Sequence, residues 1–168
     1  MSSKALPARP SRLDKSEFCR TCAKFPTGVT VVTVLDQGGG PHGLTASSFT
    51  SVSLEPPLVL VCVDHNANVL DHFRRSDHLA INVLDETQQE LSVRFARRGE
   101  NRFDGVEWRP GQNGVPLIPG AIASFECAMH RMVDAGDHTI FIAEVLGVTY
   151  CEGRPLVYYG SGYHKLTG

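Results

Sequence analysis

The chain has 168 residues, 42% of them hydrophobic and 20% charged, with a formal net charge of −2. That length and apolar fraction suit one globular domain with a real core and leave little room for two. No basic excess points to nucleic acid or to an anionic membrane surface, and no apolar run approaches the roughly 20 residues of a membrane-spanning helix.

Residues 1–13 carry Lys4, Arg9, Arg12 and two prolines without an apolar stretch. They read as a flexible or loosely docked arm before a single domain over 14–168, and not as a secretory signal. Asp14 and Glu17 have capping-box spacing, which predicts a helix to about Lys24 with Phe18, Cys22 and Phe25 roughly on one face. Pro26 and Gly28 end it. Cys19 and Cys22 form a C-x-x-C, but no second pair completes a zinc set and no strand precedes it. They read as partly buried helix cysteines. Five cysteines, an odd number, argue against a disulfide scaffold and for a reduced, cytoplasmic chain.

Val29–Val34 is a β-branched run and predicts a strand. Gly38, Gly40 and Gly43 then spell G-x-G-x-x-G. That string binds a dinucleotide only where a helix opens behind it. Pro41 lies inside it and β-branched and hydroxyl residues follow, so it reads as a glycine hairpin loop. A β-rich stretch runs from Leu44 to Ser53, and Leu58–Val63 is a buried strand. Asn68 is a candidate cap for a short helix to Arg74, and His78–Leu84 is a strand. Asp85 with Gln88 starts a helix to about Ala96. A polar loop, 97–105, and a turn-rich connection, 113–120, lead to two long strands, Ala121–Val133 and Thr139–Tyr150. In the first, Ala121, Ala123, Phe125, Cys127, Met129 and Val133 share one face, with Ser124, Glu126 and His130 on the other. Six or seven strands with few, short helices predict a mainly β, antiparallel barrel. His42, His65, His72, His78, His130 and His164 show no metal-ligand spacing and read as surface or core, with no metal expected.

Thr45 to Ser53 crowds six hydroxyls into nine positions. On a strand, one face of such a segment presents several hydroxyls together and can hold a phosphate without lysine. The same pattern also describes a solvated edge strand.

"KFPTGVTVVTV" (24–34) and "GLTASSFTSVSLEPPLVLVCV" (43–63) resemble the short NAD(P)H:flavin reductase family, which supplies reduced flavin to two-component monooxygenases. "FARRGENRFDG" (95–105), "AGDHTIFIAEV" (135–145) and "PLVYYGSGYH" (155–164) resemble later segments of the same family. The resemblance covers about Phe18 to Leu166. It implies an FMN-binding split barrel that works as a homodimer on FMN or FAD with NADH, or with NADPH. It places Thr45, Ala46, Ser47 and Ser48 against the flavin, and Ser51, Val52 and Ser53 around its ribityl and phosphate. Cys62 and Val63 lie beside it, Asn68 at its phosphate end, and Phe95, Arg102 and Phe103 near its tail. His138 and Tyr163 fall near the nicotinamide. His65–Asn68 departs from the serine-rich run of many relatives. Without the resemblance, spacing favours reading His138 as a turn histidine satisfied by Asp137. The implied chemistry is hydride transfer from nicotinamide C4 to flavin N5, with the protein stacking the rings and excluding water. Backbone N–H groups of Thr45–Ser53 are candidates to stabilise charge on the reduced ring. The alternatives are a split-barrel flavoprotein oxidase and a non-catalytic flavin carrier. The lack of an arginine cluster for a 2′-phosphate favours NADH.

Overall fold

The computed structural model describes residues 13–99 and 101–166, so most of the proposed arm lies outside the described residues. Asp14 accepts a bond from Glu17 N and opens helix α1, Lys15–Cys22. No residue of α1 is buried, and Cys19 and Cys22 are both exposed. The expected partial burial of this pair does not occur: Phe18 and Phe25 are exposed as well, and among the described residues nothing buries a side chain of this helix.

Strand β1, Thr27–Gly28, precedes β2, Thr30–Leu35. In β2, every residue from Thr30 to Val34 is buried. Successive side chains enter different cores, Val32 and Val34 one, Val29 and Val31 another. A β-branched run covered on both faces is what such a central strand requires. Its two threonines are satisfied, Thr30 Oγ1 by Ala46 O at 2.8 Å and Thr33 Oγ1 by Pro116 O at 2.6 Å.

The glycine string is a hairpin turn. Asp36 Oδ1 accepts from Gly38 N and Gly40 N, each at 2.8 Å. Gly43 is glycine for packing, since a Cβ there would meet the Phe95 ring and Val32 O at 3.0 Å. The predicted 44–53 stretch divides into β3, Pro41–Ala46, and β4, Thr50–Leu54. β5, Pro57–Asp64, follows, then helix α2, Leu70–Arg75. The N-cap of α2 is Val69, with no side-chain bond, so Asn68 is not its cap. β6 is His78–Val83, and α3 is Gln89–Ala96. Asp85 N donates to Gln88 Oε1 at 3.0 Å, so the predicted capping pair forms one turn ahead of α3. A small hairpin, β7 (Arg109–Pro110) with β8 (Pro116–Leu117), sits in the connection read as turns.

β9, Ala123–Ala135, and β10, His138–Tyr150, form the long closing hairpin. Gly136, at φ +65°, occupies the first central position of its two-residue turn, where a side chain is disfavoured. Both faces of the start of β9 are covered. Cys127 is buried on one, Ser124 and Glu126 on the other. Seven strands make one antiparallel sheet in the order β3-β2-β6-β9-β10-β5-β4. A separate three-stranded sheet joins β1 to the C-terminal hairpin β11 (Val157–Tyr159) and β12 (Gly162–His164). No described helix is long and apolar enough to cross a membrane.

Buried Asn82 ties these layers together. Its amide donates to Val31 O at 3.1 Å, and its carbonyl accepts from Ile118 N at 3.0 Å and Ser124 Oγ at 2.9 Å. The cysteines divide sharply: Cys19, Cys22 and Cys151 are exposed, whereas burial pushes the Cys127 thiol up to about 12. Native-state alkylation at pH 8 followed by mass spectrometry will label Cys19, Cys22 and Cys151 and spare Cys127 until the chain is unfolded.

Candidate functional site

β3 is an end strand of the large sheet, and β5 pairs with β4 only through Leu60. Beyond that point β5 has no ladder partner on this edge, and β3 has none on its outer edge. Ser48 bridges the gap by side chain instead, accepting from Cys62 N at 2.9 Å and donating to Cys62 O at 3.3 Å. Next to this bridge a cleft of about 320 Å³ opens. Thr45, Ala46, Ser47 and Ser48 line one wall, and Cys62, Val63 and Asp64 the other. Strand edges without ladder partners leave backbone N–H and C=O groups free for a ligand.

Four more expected residues lie here. Asn68 and Phe95 line the cleft, as do Arg102 and His138. Phe95 is fully buried and forms apolar floor. Arg102 stands on the β3 side, donating through Nη1 to Gly43 O at 2.7 Å. It has no carboxylate partner among the described residues, and burial holds its pKa below the ordinary guanidinium value. Such a cation lacks only an anion.

His138 stands on the β5–β10 side, paired across the ladder with Asp64. Its Nδ1–H donates to Asp137 Oδ1 at 2.7 Å, leaving Nε2 for another partner. That contact, followed by its own backbone N–H and then the charge of His138, holds the Asp137 carboxyl below the usual range. Asp64 is lowered too, first by the Asn66 backbone N–H, with His138 and Arg98 contributing. The turn under His138 is braced by His65 N donating to Asp137 O at 2.9 Å and by Arg74 donating to Asp134 at 3.1 Å. The local satisfaction by Asp137 and the place in the cleft are therefore both present.

Five expected residues do not line this cleft. Ser51, Val52 and Ser53 lie on β4, where Ser51 and Val52 are exposed and the register shifts between Ser51 and Ser53. Phe103 lines a neighbouring chamber of about 600 Å³. The Tyr163 hydroxyl meets Ser92 Oγ at 2.8 Å. Ser92 is buried, and its carbonyl accepts from Thr45 Oγ1 at 2.6 Å. Tyr163 thus braces the cleft wall through α3.

Sequence reasoning missed Asp64, Asn66, Ala67, Ala96 and Arg98, which also line the cleft. The D-x-N spacing of Asp64 and Asn66 was the available signal, since Asp64 Oδ1 accepts from Asn66 N at 2.7 Å in a local turn. Folding also gathers Asp36, His42 and His72, whose ligand atoms lie within 4.8 Å of one another despite their sequence spacing. His42 Nε2 meets Asp36 Oδ2 at 2.9 Å, and the His42 and His72 rings stack at 3.5 Å and 9°. Parallel rings aim their lone pairs along parallel planes, so this is a stacked pair held by a carboxylate and not a converging donor set. The site residues expected for a flavin therefore fit one in a specific respect: hydroxyls, an apolar floor and the Arg102 guanidinium converge on one cleft.

The family model described as "Flavin reductase like domain" matches residues 22–167. The chain is 45% identical over 139 residues to the stachydrine N-demethylase reductase subunit of Rhizobium meliloti, covering 83% of this chain and 60% of that protein. It thus spans less than two thirds of that relative. It is 41% identical over 158 residues to an FMN reductase (NADH) of Agrobacterium fabrum, covering 94% and 90% of the two chains. Among solved structures, the NADH:FAD oxidoreductase of Streptomyces globisporus, in complex with NAD and FAD fragments, matches with a TM-score of 0.87 and 41% identity. That match covers 92% of this chain and 93% of the other.

The Ser48 bridge has a measurable consequence. Ser48→Ala strands the Cys62 N–H and C=O at this edge, which costs about 1–3 kcal/mol. Urea unfolding of Ser48→Ala will show a midpoint lowered accordingly, and a midpoint equal to wild type would deny the bridge a structural role.

Proposed function

The chain belongs to the flavin reductase-like family, and from that premise we propose that it is an NADH:flavin oxidoreductase serving a separate monooxygenase. The observation that carries this reading is the half-buried Arg102 guanidinium, without a carboxylate partner among the described residues, set in the cleft beside the hydroxyl-bearing wall Thr45–Ser48. When bound there, a flavin supplies the acceptor for a hydride from the nicotinamide.

This chain's own residues bind, orient and exclude water. Arg102 and Asn68 hold the phosphate end. Thr45, Ala46, Ser47 and Ser48 offer hydroxyls and free strand-edge groups along one side of the ring. Cys62, Val63 and Phe95 would give it apolar contact. Ser51, Val52 and Ser53 reach a flavin only by way of an adjoining copy or a shifted β4. His138, fixed through Nδ1 by Asp137, presents Nε2 to the nicotinamide carboxamide. Phe103 and Tyr163 act at one remove, Phe103 packed edge-on to Phe95 and Tyr163 bonded to Ser92. The open cleft suits a flavin that enters as a substrate and leaves reduced. Three exposed free cysteines suit the reducing cytoplasm.

A homodimer is part of the same reading. Val52 and Leu54 on β4, and Leu146, Val148 and Tyr150 on β10, are exposed, Leu54 at 89% and Tyr150 at 86%. Apolar side chains gathered on two nearby strands mark an interface. Light scattering will give twice the chain mass for wild type and the chain mass for Leu54→Asp/Val148→Asp. A monomeric wild type would remove the dimer.

NADH oxidation followed at 340 nm, with FMN, FAD, riboflavin or no flavin, tests the activity. Consumption is expected only with flavin. Flavin binding without consumption would favour the carrier or oxidase. His138→Ala is expected to raise KM for NADH by about tenfold, the worth of one hydrogen bond. Unchanged KM and kcat would remove His138 from the nicotinamide site.

A further inference from the structure

Two cavities meet at Arg102. The cleft between β3 and β5 holds about 320 Å³, and the chamber behind it about 600 Å³. Asn68 and Arg102 are the residues that line both. The larger chamber has aromatic walls, the stacked His42–His72 pair and Trp108. Its acid Asp36 is already engaged, by His42 and by the N–H groups of Gly38 and Gly40. Among the described residues, its other acid, Asp104, is exposed.

An FMN with its phosphate at Arg102 would not extend into this chamber. A ligand that continues past Arg102 needs an anionic linker at the junction and a flat, stackable group beyond it. We propose that the chamber receives the adenosine diphosphate half of FAD, its pyrophosphate at Arg102 and Asn68 and its adenine against the aromatic walls, making FAD the preferred flavin. The inference rests on the flavin reductase reading and adds to it a choice that the family leaves open, since relatives reduce FMN in one case and FAD in another. The shape argument is independent of the cation. An adenine gains stacking on an imidazole or indole face, and the partly covered His72 and Trp108 offer such faces.

NADH carries the same adenosine diphosphate half, so the test separates the two nucleotides. Steady-state NADH oxidation by the full chain is measured with FAD, FMN and riboflavin, then with ADP as inhibitor. The expected kcat/KM for FAD exceeds that for FMN by about tenfold, the worth of one stacked base. ADP should compete with FAD and leave the riboflavin reaction nearly untouched. His72→Ala and Trp108→Ala should each bring the FAD-to-FMN ratio towards one. Equal use of FAD and FMN, with ADP failing to compete with FAD, would overturn the inference while leaving the reductase reading intact. ADP competing with NADH alone would overturn it by assigning the chamber to the nicotinamide nucleotide. No oxidation with any flavin would instead remove the reductase reading. Calorimetric ADP binding weakened by Trp108→Ala would then still support an adenosine diphosphate chamber, and no ADP binding would end it. The ADP competition needs no variant, so misfolding of either substitution does not blunt it.

Discussion

The unpaired edges of β3 and of the end of β5 are the constraint on which the rest depends. A sheet that stays paired along its whole edge offers a ligand only side chains. One that opens releases backbone groups, and each must find water, a side chain or a ligand. Here the release is partial. Ser48 satisfies the Cys62 backbone at the mouth of the opening, so the strands stay close enough to share a cleft. The cleft is therefore a continuation of the sheet's own hydrogen-bonding logic.

An opened sheet needs stiffening elsewhere. The β9–β10 hairpin supplies one long brace, thirteen residues on each strand. Asn82 supplies another, linking β2, β9 and the 116–118 segment through a fully satisfied buried amide. Buried Glu126 accepts from Gln112 N at 2.6 Å, and a Cβ on Gly111 would strike its carboxylate. Buried polar groups of this kind are costly when unmet and specify a unique arrangement when met. The C-terminal hairpin adds the last brace, Tyr163 to Ser92 to Thr45, which reaches the cleft wall without entering it.

The charge arrangement follows the same division of labour. His138 is fixed by Asp137 on one wall, and Arg102 is fixed by a carbonyl on the other. A carbonyl orients a guanidinium but does not neutralise it. Among the described residues no carboxylate pairs with it, which suits the site to an anionic ligand.

Local chemistry made much of this legible in the sequence. β-branched runs gave the strands, Asp14 with Glu17 gave a helix start, and Pro41 exposed the glycine string as a turn. The likeness of five segments to one family pointed to a flavin, and most of the residues it named came together, Thr45 to Ser48, Cys62, Val63, Asn68, Phe95, Arg102 and His138. Tertiary structure decided the remainder. Whether α1 found an apolar seat depended on what packed against it, and among the described residues none of its side chains is buried, so its cysteines are exposed. Where the hydroxyl-rich stretch broke depended on its pairing with β5, which left Ser51 to Ser53 off the cleft. Tyr163 met Ser92, and Asp36, His42 and His72 met one another, through contacts between elements far apart in the chain. Spacing along a strand or helix fixes which face a side chain takes. Which neighbour fills that face is a property of the folded whole.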